Sequence, residues 1–380
     1  MSTRPFDLLR RRAAIYARRK RAERLRARAM NRPFGGTAGA RLLLITQPER
    51  IPQSQIFPFH HYADDLRRLY GAELREANLW DVLSGAGSGA EAPRGATIVA
   101  FQTPFDIADA DLDRLFARIA ADHPGARVAC LDWFAPTDLR NAARMDGRVD
   151  VYVKKHLLRD RSAYGKPTRG DTNLTDYFNR RYGIDEPEQC FAIPPGFLDK
   201  LLLGPSFATA PLIMPPLLGA RPAAGPRPID LHARFAVGGT PWYQGMRGEA
   251  EAALARVPDL RMVREGAVPL PRFMAEMEQS KICFSPFGYG EVCWRDYEAV
   301  AGGAVLLKPD MSHIETAPDI FVPWETYVPL RWDLEDFEDT ARRLAGDATL
   351  RDRIAGQAHA VLKDWLASDA FARTMAPLFG

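Results

Sequence analysis

The chain is predicted to be an α/β protein of two domains facing a cleft, and three observations carry that prediction. Short apolar runs alternate with amphipathic stretches in the first half of the sequence, and the same alternation returns in the second. A stretch over 183–228 holding ten prolines separates the two series. The length, 380 residues, exceeds what one ordinary hydrophobic core holds. Strand, helix, strand, helix at this spacing gives a parallel sheet with crossover helices. Open sheets of that kind bind ligands beyond the C-terminal ends of their strands, so chemistry is sought in those loops.

In chain order, the strands of the first series are ARLLLITQ, ATIVAFQ, RVACLDWF and VDVYVKK. Between them lie the helices HHYADDLRRLYG, ending at Gly71, and ADLDRLFARIAADH. The second series has strands PIDLHARFAVGG, LRMVRE, KICFSPF and AVLLKP, with helices MRGEAEAALARV, LPRFMAEMEQS and CWRDYEAVAGG; the remainder is helical. The expected boundaries are a basic extension over 1–34, a first domain over 35–185, a connection over 186–228 and a second domain over 229–380.

Composition narrows the function classes. With 46% apolar and 26% charged residues the chain reads as globular. No apolar run reaches the ~18–20 residues of a membrane span, and no apolar h-region marks a secretory signal. A cytoplasmic protein is expected. Cys130, Cys190, Cys283 and Cys293 lack metal-ligand spacing and read as free thiols. The net charge of +3 is uneven: residues 1–34 hold twelve basic and two acidic side chains, the rest 39 and 46. A mildly acidic body argues against nucleic acid as a partner. The tail reads as a helix with Thr3 as cap and Pro5 in the first turn. Leu9, Ala13 and Tyr16 share its thin apolar face. It suits peripheral contact with an anionic membrane, at ~1 kcal/mol per basic residue, or else a solvated arm.

The most informative stretch is SPFGYGEVCWRDYEAVAGGAVLLKPDMSH, over 285–313. A strand ends, Gly288 and Gly290 allow a tight turn and close approach to a ligand, and a helix is expected from Glu291. Its N-terminus would seat a phosphate. Glu291, Arg295 and Glu298, spaced i, i+4 and i+7, are expected on one face lining the cleft. A carboxylate can accept hydrogen bonds from vicinal ribose hydroxyls, and a guanidinium can grip a diphosphate bidentately. An internal ion-pair face is the alternative reading.

This stretch resembles the C-terminal domain of GT-B glycosyltransferases of the group-1 type, two Rossmann-like domains facing a cleft. That family carries a glutamate, seven residues, then Glu-Ala-x-x-x-Gly. Glu298, Ala299 and Gly302 match; the first acid does not, because Gly290 stands in its place and Glu291 comes one residue late. The resemblance spans 229–366. It implies a donor site for a nucleoside-diphosphate sugar, with Glu298 on the ribose and Glu291 at the donor sugar. Arg234, Gly239 and Arg247, in and after the loop VGGTPWYQGMR, would serve the diphosphate, together with Tyr289, Gly290 and Arg295. Lys308, after a buried strand, would neutralise the leaving pyrophosphate. No metal and no other cofactor is expected. Retention of anomeric configuration is implied by the resemblance alone.

The first domain is expected to hold the acceptor. Asp132, at a strand end, is the candidate general base, Trp133 beside it could stack on a sugar, and His61 is a further acceptor candidate. The cluster KKHLLRDR over 154–161 reads as an anionic-acceptor contact or a solvated face. Asp109-Ala-Asp111 has a metal-binding form but opens a helix, where aspartates complement the dipole. The sequence lacks a complete dinucleotide-binding glycine pattern, a phosphate-loop lysine motif and hydrolase nucleophile motifs. The expected activity is transfer of a hexose-type sugar to a glycan or lipid-linked glycan, in bacterial surface polysaccharide synthesis. The alternatives are a non-catalytic glycan-binding or assembly subunit of the same shape, and a sugar-nucleotide epimerase.

Overall fold

The computed structural model describes residues 5–36, 39–85, 92–222, 226–264 and 266–380, with 5–12 as backbone only. Two parallel sheets organise it. The first is built from β1 (Arg41–Thr46), β2 (Glu73–Asn78), β3 (Ile98–Phe101), β4 (Arg127–Asp132), β5 (Val151–Lys154) and β9 (Leu201–Leu203), in the order β2-β1-β3-β4-β5-β9. Between β5 and β9 the chain makes an excursion through β6 (His156–Leu158), β7 (Thr168–Arg169) and β8 (Glu188–Gln189). The second sheet comprises β10 (Ile229–His232), β11 (Met262–Val263), β12 (Ser280–Phe284), β13 (Val305–Pro309) and β15 (Val328–Leu330), ordered β11-β10-β12-β13-β15. Every pairing within both sheets is parallel.

The central strands are buried along their length, as continuous runs such as IVAF and VYVK demand. Helices cover the faces. One core cluster serves the first sheet and another the second, while a third runs through both halves and joins Leu42 and Leu44 to Tyr297 and Met311. β14 (Ile314–Thr316), from the second half, pairs antiparallel with β6 from the first, Thr316 opposite His156. The halves are thus tied by backbone hydrogen bonds as well as by side chains.

Three features depart from the sequence reading. β2, ELREAN, is too polar to read as a strand. It lies at the sheet edge, and its Glu76 is buried against His60 Nε2 at 2.7 Å and Arg26 Nη2 at 2.6 Å. The stretch expected as a connection supplies β9 and buries Phe207, Ile213, Met214 and Leu217. The end of the chain returns to the first half: Phe371 packs on Phe59 and Tyr62, Phe379 stacks on Tyr70 at 4.2 Å, and Leu366 O accepts from the Tyr62 hydroxyl at 2.6 Å. Burying an aromatic ring of this kind contributes ~1.5–3 kcal/mol.

The basic segment forms the helix Pro5–Ala29; its expected cap, Thr3, lies outside the described residues. Its second half is docked, not a solvated arm. Ala22 and Ala29 are buried, Arg26 reaches Glu76, and Arg21 pairs with Asp64 at 2.7 Å. No helix among the described residues is long and apolar enough to cross a membrane.

Candidate functional site

The loops at the C-terminal ends of the two sheets face one another. After β10 the chain turns through Gly238 and Gly239 into the helix Pro241–Ala255. A Cβ on Gly239 would lie 2.6 Å from the Tyr289 hydroxyl, so a larger residue there would displace that side chain. Pro241 sits in the first turn, where its missing N–H costs nothing. Thr240 makes no side-chain cap, and its N–H donates to the Tyr289 hydroxyl at 3.2 Å. Tyr289 is 47% exposed and stacks on Tyr243 at 4.6 Å.

Arg247 lies further along that helix and is only 4% exposed. Its guanidinium rests against the rings of Tyr243 and Phe235, at 4.8 and 5.1 Å. It forms no ion pair among the described residues, and its Nε and Nη1 have no hydrogen-bond partner. Burial pushes its pKa down. A buried guanidinium without an acid partner is expensive in an empty protein. Arg234 behaves differently: both arms of its fork bind Glu276, at 2.6 and 3.0 Å, so it carries no free charge. Arg295 donates from Nη2 to Arg234 O at 2.6 Å and leaves Nε unpartnered.

The helix expected from Glu291 begins at Trp294. Its N-terminus is closed by its own residues, because Asp296 accepts from Cys293 N at 2.8 Å and from Ser285 Oγ at 2.6 Å. Lys308 is fully buried with its Nζ 3.2 Å from that same Asp296 carboxylate. Lys308 therefore anchors the helix start and does not face the cleft, and the phosphate seat expected at this N-terminus is occupied by Asp296.

Glu291, three residues before the helix, does not share a helical face with Arg295 and Glu298. It meets the first half directly. Its carboxylate accepts from Thr137 Oγ1 at 2.5 Å; His156 Nε2 is 3.0 Å from that hydroxyl, and His313 Nε2 is 3.4 Å from the other carboxylate oxygen. Burial alone would raise the carboxyl, but His156 and His313 outweigh it and hold Glu291 well below the usual carboxylate range. Burial lowers His156 to about 4, with Glu291 opposing the shift. Neighbouring Gly290 permits this contact: a Cβ there would sit 1.9 Å from Ala135 O of the first half.

Glu298 lines a cleft pocket of about 630 Å³ with Trp294 and, from the first half, Arg50, Ile51 and Trp133. Burial raises its pKa, opposed by Arg295 and Arg50. Arg50 lies over the Trp294 ring at 4.7 Å, and Trp133 donates from Nε1 to Thr103 O at 2.8 Å. The structure thus brings Glu298, Trp133 and Arg50 together; Arg50 was missed in the sequence, where a single exposed arginine gives no signal.

Asp132 is not an exposed base. It is buried and bound by Tyr152 Oη at 2.7 Å, Lys154 Nζ at 3.0 Å and Phe134 N at 2.9 Å. His61 lies against Phe57 and Tyr62 near Arg18 and Arg21 of the N-terminal helix, away from these loops, and burial lowers its pKa to about 4. Lys155, read in the sequence only as part of the basic cluster 154–161, is 1% exposed, lies over the Phe207 ring at 4.5 Å and has no ion pair among the described residues. Burial lowers it to about 8, with Lys154 adding to the shift. Asp109 pairs with Arg144 at 2.6 Å and Asp111 with Arg114. Among the described residues no group of three His, Cys, Asp or Glu stands at metal-binding geometry.

No protein-family model matches the chain, and no curated relative matches it. Solved structures do. An alpha-glucosyltransferase in complex with UDP and a 13-mer DNA containing an HMU base has a TM-score of 0.50 at 8% identity, over 90% of this chain and 100% of that one. TarM has a TM-score of 0.45 at 9% identity, over 74% of this chain and 54% of that one. A putative UDP-N-acetylglucosamine 2-epimerase from Listeria monocytogenes has 0.38 at 12% identity, over 88% and 94%. At these identities the first likeness establishes the fold alone: two parallel α/β sheets facing a cleft, the GT-B arrangement.

Proposed function

We propose that the protein is a glycosyltransferase that takes a sugar from a nucleoside diphosphate and passes it to a glycan or lipid-linked glycan. The observation that carries the reading is Arg247, a buried guanidinium with two unpartnered nitrogens behind a glycine turn at the end of a parallel strand. An anion at this place would satisfy it. Arg247 and Arg295 hold the diphosphate, Gly239 and Tyr289 shape its approach, and Glu298 accepts hydrogen bonds from the ribose hydroxyls. As the glycosidic bond to phosphate breaks, these fixed charges stabilise the departing diphosphate without any need to reorganise. Glu291, aided by Gly290, lies where the halves meet and contacts the donor sugar. Retention of configuration, a place in bacterial surface polysaccharide synthesis, and peripheral contact of residues 1–34 with an anionic cytoplasmic membrane face belong to the same reading.

The test is calorimetric titration with UDP and a panel of nucleoside-diphosphate sugars, with Arg247→Met alongside. Binding by the wild type, weakened 10- to 100-fold in the variant, is expected from the loss of one charge-assisted contact of ~1.5–3 kcal/mol. Equal affinity in the variant, or no binding of any such nucleotide, overturns it. A non-catalytic binder is the second reading, favoured by the fixed partners of Glu291. Release of UDP from a bound donor in the presence of acceptor separates the two, because a binder releases none.

A further inference from the structure

A cavity of about 800 Å³ is distinct from the pocket at Glu298 and has no part in the donor reading. It lies between the excursion that follows β5 and the strand ends of the second half, where Asp310, Ser312, His313 and Trp332 line it. We propose that this cavity binds the acceptor, and that the acceptor is an uncharged, polyhydroxylated glycan. The assignment rests on the glycosyltransfer reading above for the meaning of "acceptor", though not for the binding itself.

Three observations support it. The first is composition: Trp332, Tyr164 and Phe191 offer apolar faces, while five aspartates line the walls against Arg159 and Lys166. Aromatic rings pack on the C–H faces of pyranoses, and carboxylates accept hydrogen bonds from their hydroxyls. The second is the state of the cations. Arg140, behind the wall, binds Asp138 at 2.6 Å and Asp171 at 2.9 Å. Arg159 donates to the carbonyls of Ser312 and Ile314, at 3.1 and 3.2 Å, and Arg161 binds Glu315 at 2.7 Å. Within the run 154–161, Lys154, Arg159 and Arg161 therefore have protein partners and Lys155 is buried, so a phosphate-rich polymer, DNA included, would meet five carboxylates against Arg159 and Lys166. The third is position. His313 lines the cavity and its Nε2 stands 3.4 Å from Glu291, so a hydroxyl seated here lies beside the junction of the two halves.

Trp332 also packs on Phe287 and His313, so removing it risks the fold. Phe191 is half-buried, which makes it the safer variant. Saturation-transfer NMR on the full chain, without nucleotide, would use maltotriose, N-acetylglucosamine oligosaccharides, a 13-mer DNA and a glycerol-phosphate polymer. The expected result is binding of at least one neutral oligosaccharide, at least tenfold weaker in Phe191→Ala, with no binding of either phosphate polymer. Failure of every neutral glycan, binding of the phosphate polymers alone, or neutral-glycan binding untouched by Phe191→Ala overturns the proposal. A parallel UDP titration keeps the failures apart: loss of UDP binding sinks the donor reading, while the NMR result judges the cavity by itself.

Discussion

The C-terminal edges of the two sheets carry similar numbers of buried charges and use them differently. At the first edge Asp132 is satisfied by Lys154, Tyr152 and a backbone N–H, and Glu76 by His60, Arg26 and Thr46. At the second, Arg247 has no acid partner among the described residues, and Glu298 sits in a pocket wall with its carboxyl raised by burial. A buried pair holds structure together. A buried single charge destabilises the empty protein and gains a partner only from a ligand. Both edges have exceptions: in the second, Lys308 pairs with Asp296 and Glu291 is held by Thr137 and His313, and in the first Lys155 has no ion pair among the described residues. The difference teaches where to look for the ligand, since residue type alone marks Asp132 and Glu298 equally.

The comparison can be broken or sharpened by four measurements. The largest effect is expected for Asp132→Ala, which strands Lys154 in the interior. Chemical denaturation should show a loss of ~3–5 kcal/mol, with the nucleotide affinity of the remaining folded protein intact. A stable variant with lost binding would return Asp132 to the site.

Lys155→Met should act in the opposite sense. Its folded pKa, about 8, is below the ordinary 10.5. The unfolded chain therefore binds the proton more tightly, and at neutral pH the charged amine destabilises the fold. The shift corresponds to at most about 3 kcal/mol. The variant should be the more stable protein at pH 7, and its advantage should shrink as pH rises from about 8 and vanish above 10.5. A constant difference across that range would mean that packing, not charge, is responsible.

For Arg247→Met the stability arm is the sharper one. The melting temperature of the empty protein should hold or rise while nucleotide affinity falls. A drop like that of Asp132→Ala would show that Arg247 is a structural residue after all. Glu298→Ala is expected to have the smallest effect, about tenfold in nucleotide affinity or ~1.4 kcal/mol, with no loss of stability because burial already disfavours its charged form. Unchanged affinity would place the ribose elsewhere.

Much of the architecture was legible because buried parallel strands must be apolar. The runs containing β1, β3, β4, β5, β10, β12 and β13 all read as strands. β2 did not, because it lies at the sheet edge and its Glu76 is satisfied by Arg26 and His60, 50 and 16 residues away. The glycine loop at Gly239 was legible as the turn after a strand, whereas the roles of Arg247 and Glu298 were expected from the resemblance to group-1 glycosyltransferases. Glu291 was placed on a helix that begins three residues later, since Cys293 and Asp296 close the first turn and leave Glu291 extended toward Thr137 and His156.

By itself, the sequence determined the period of the elements, the parallel sheets and the residue types available at each strand end, because these follow from local sterics and from which side chains leave water. Only the tertiary structure decided which charges are neutralised. Asp132, Arg234 and Lys308 look as free in the sequence as Arg247 and Glu298, yet three find partners, at 22, 42 and 12 residues' separation, and two do not. Charge pairing depends on distances of a few ångströms between segments remote along the chain. Nothing in a linear pattern fixes those distances until both sheets have packed.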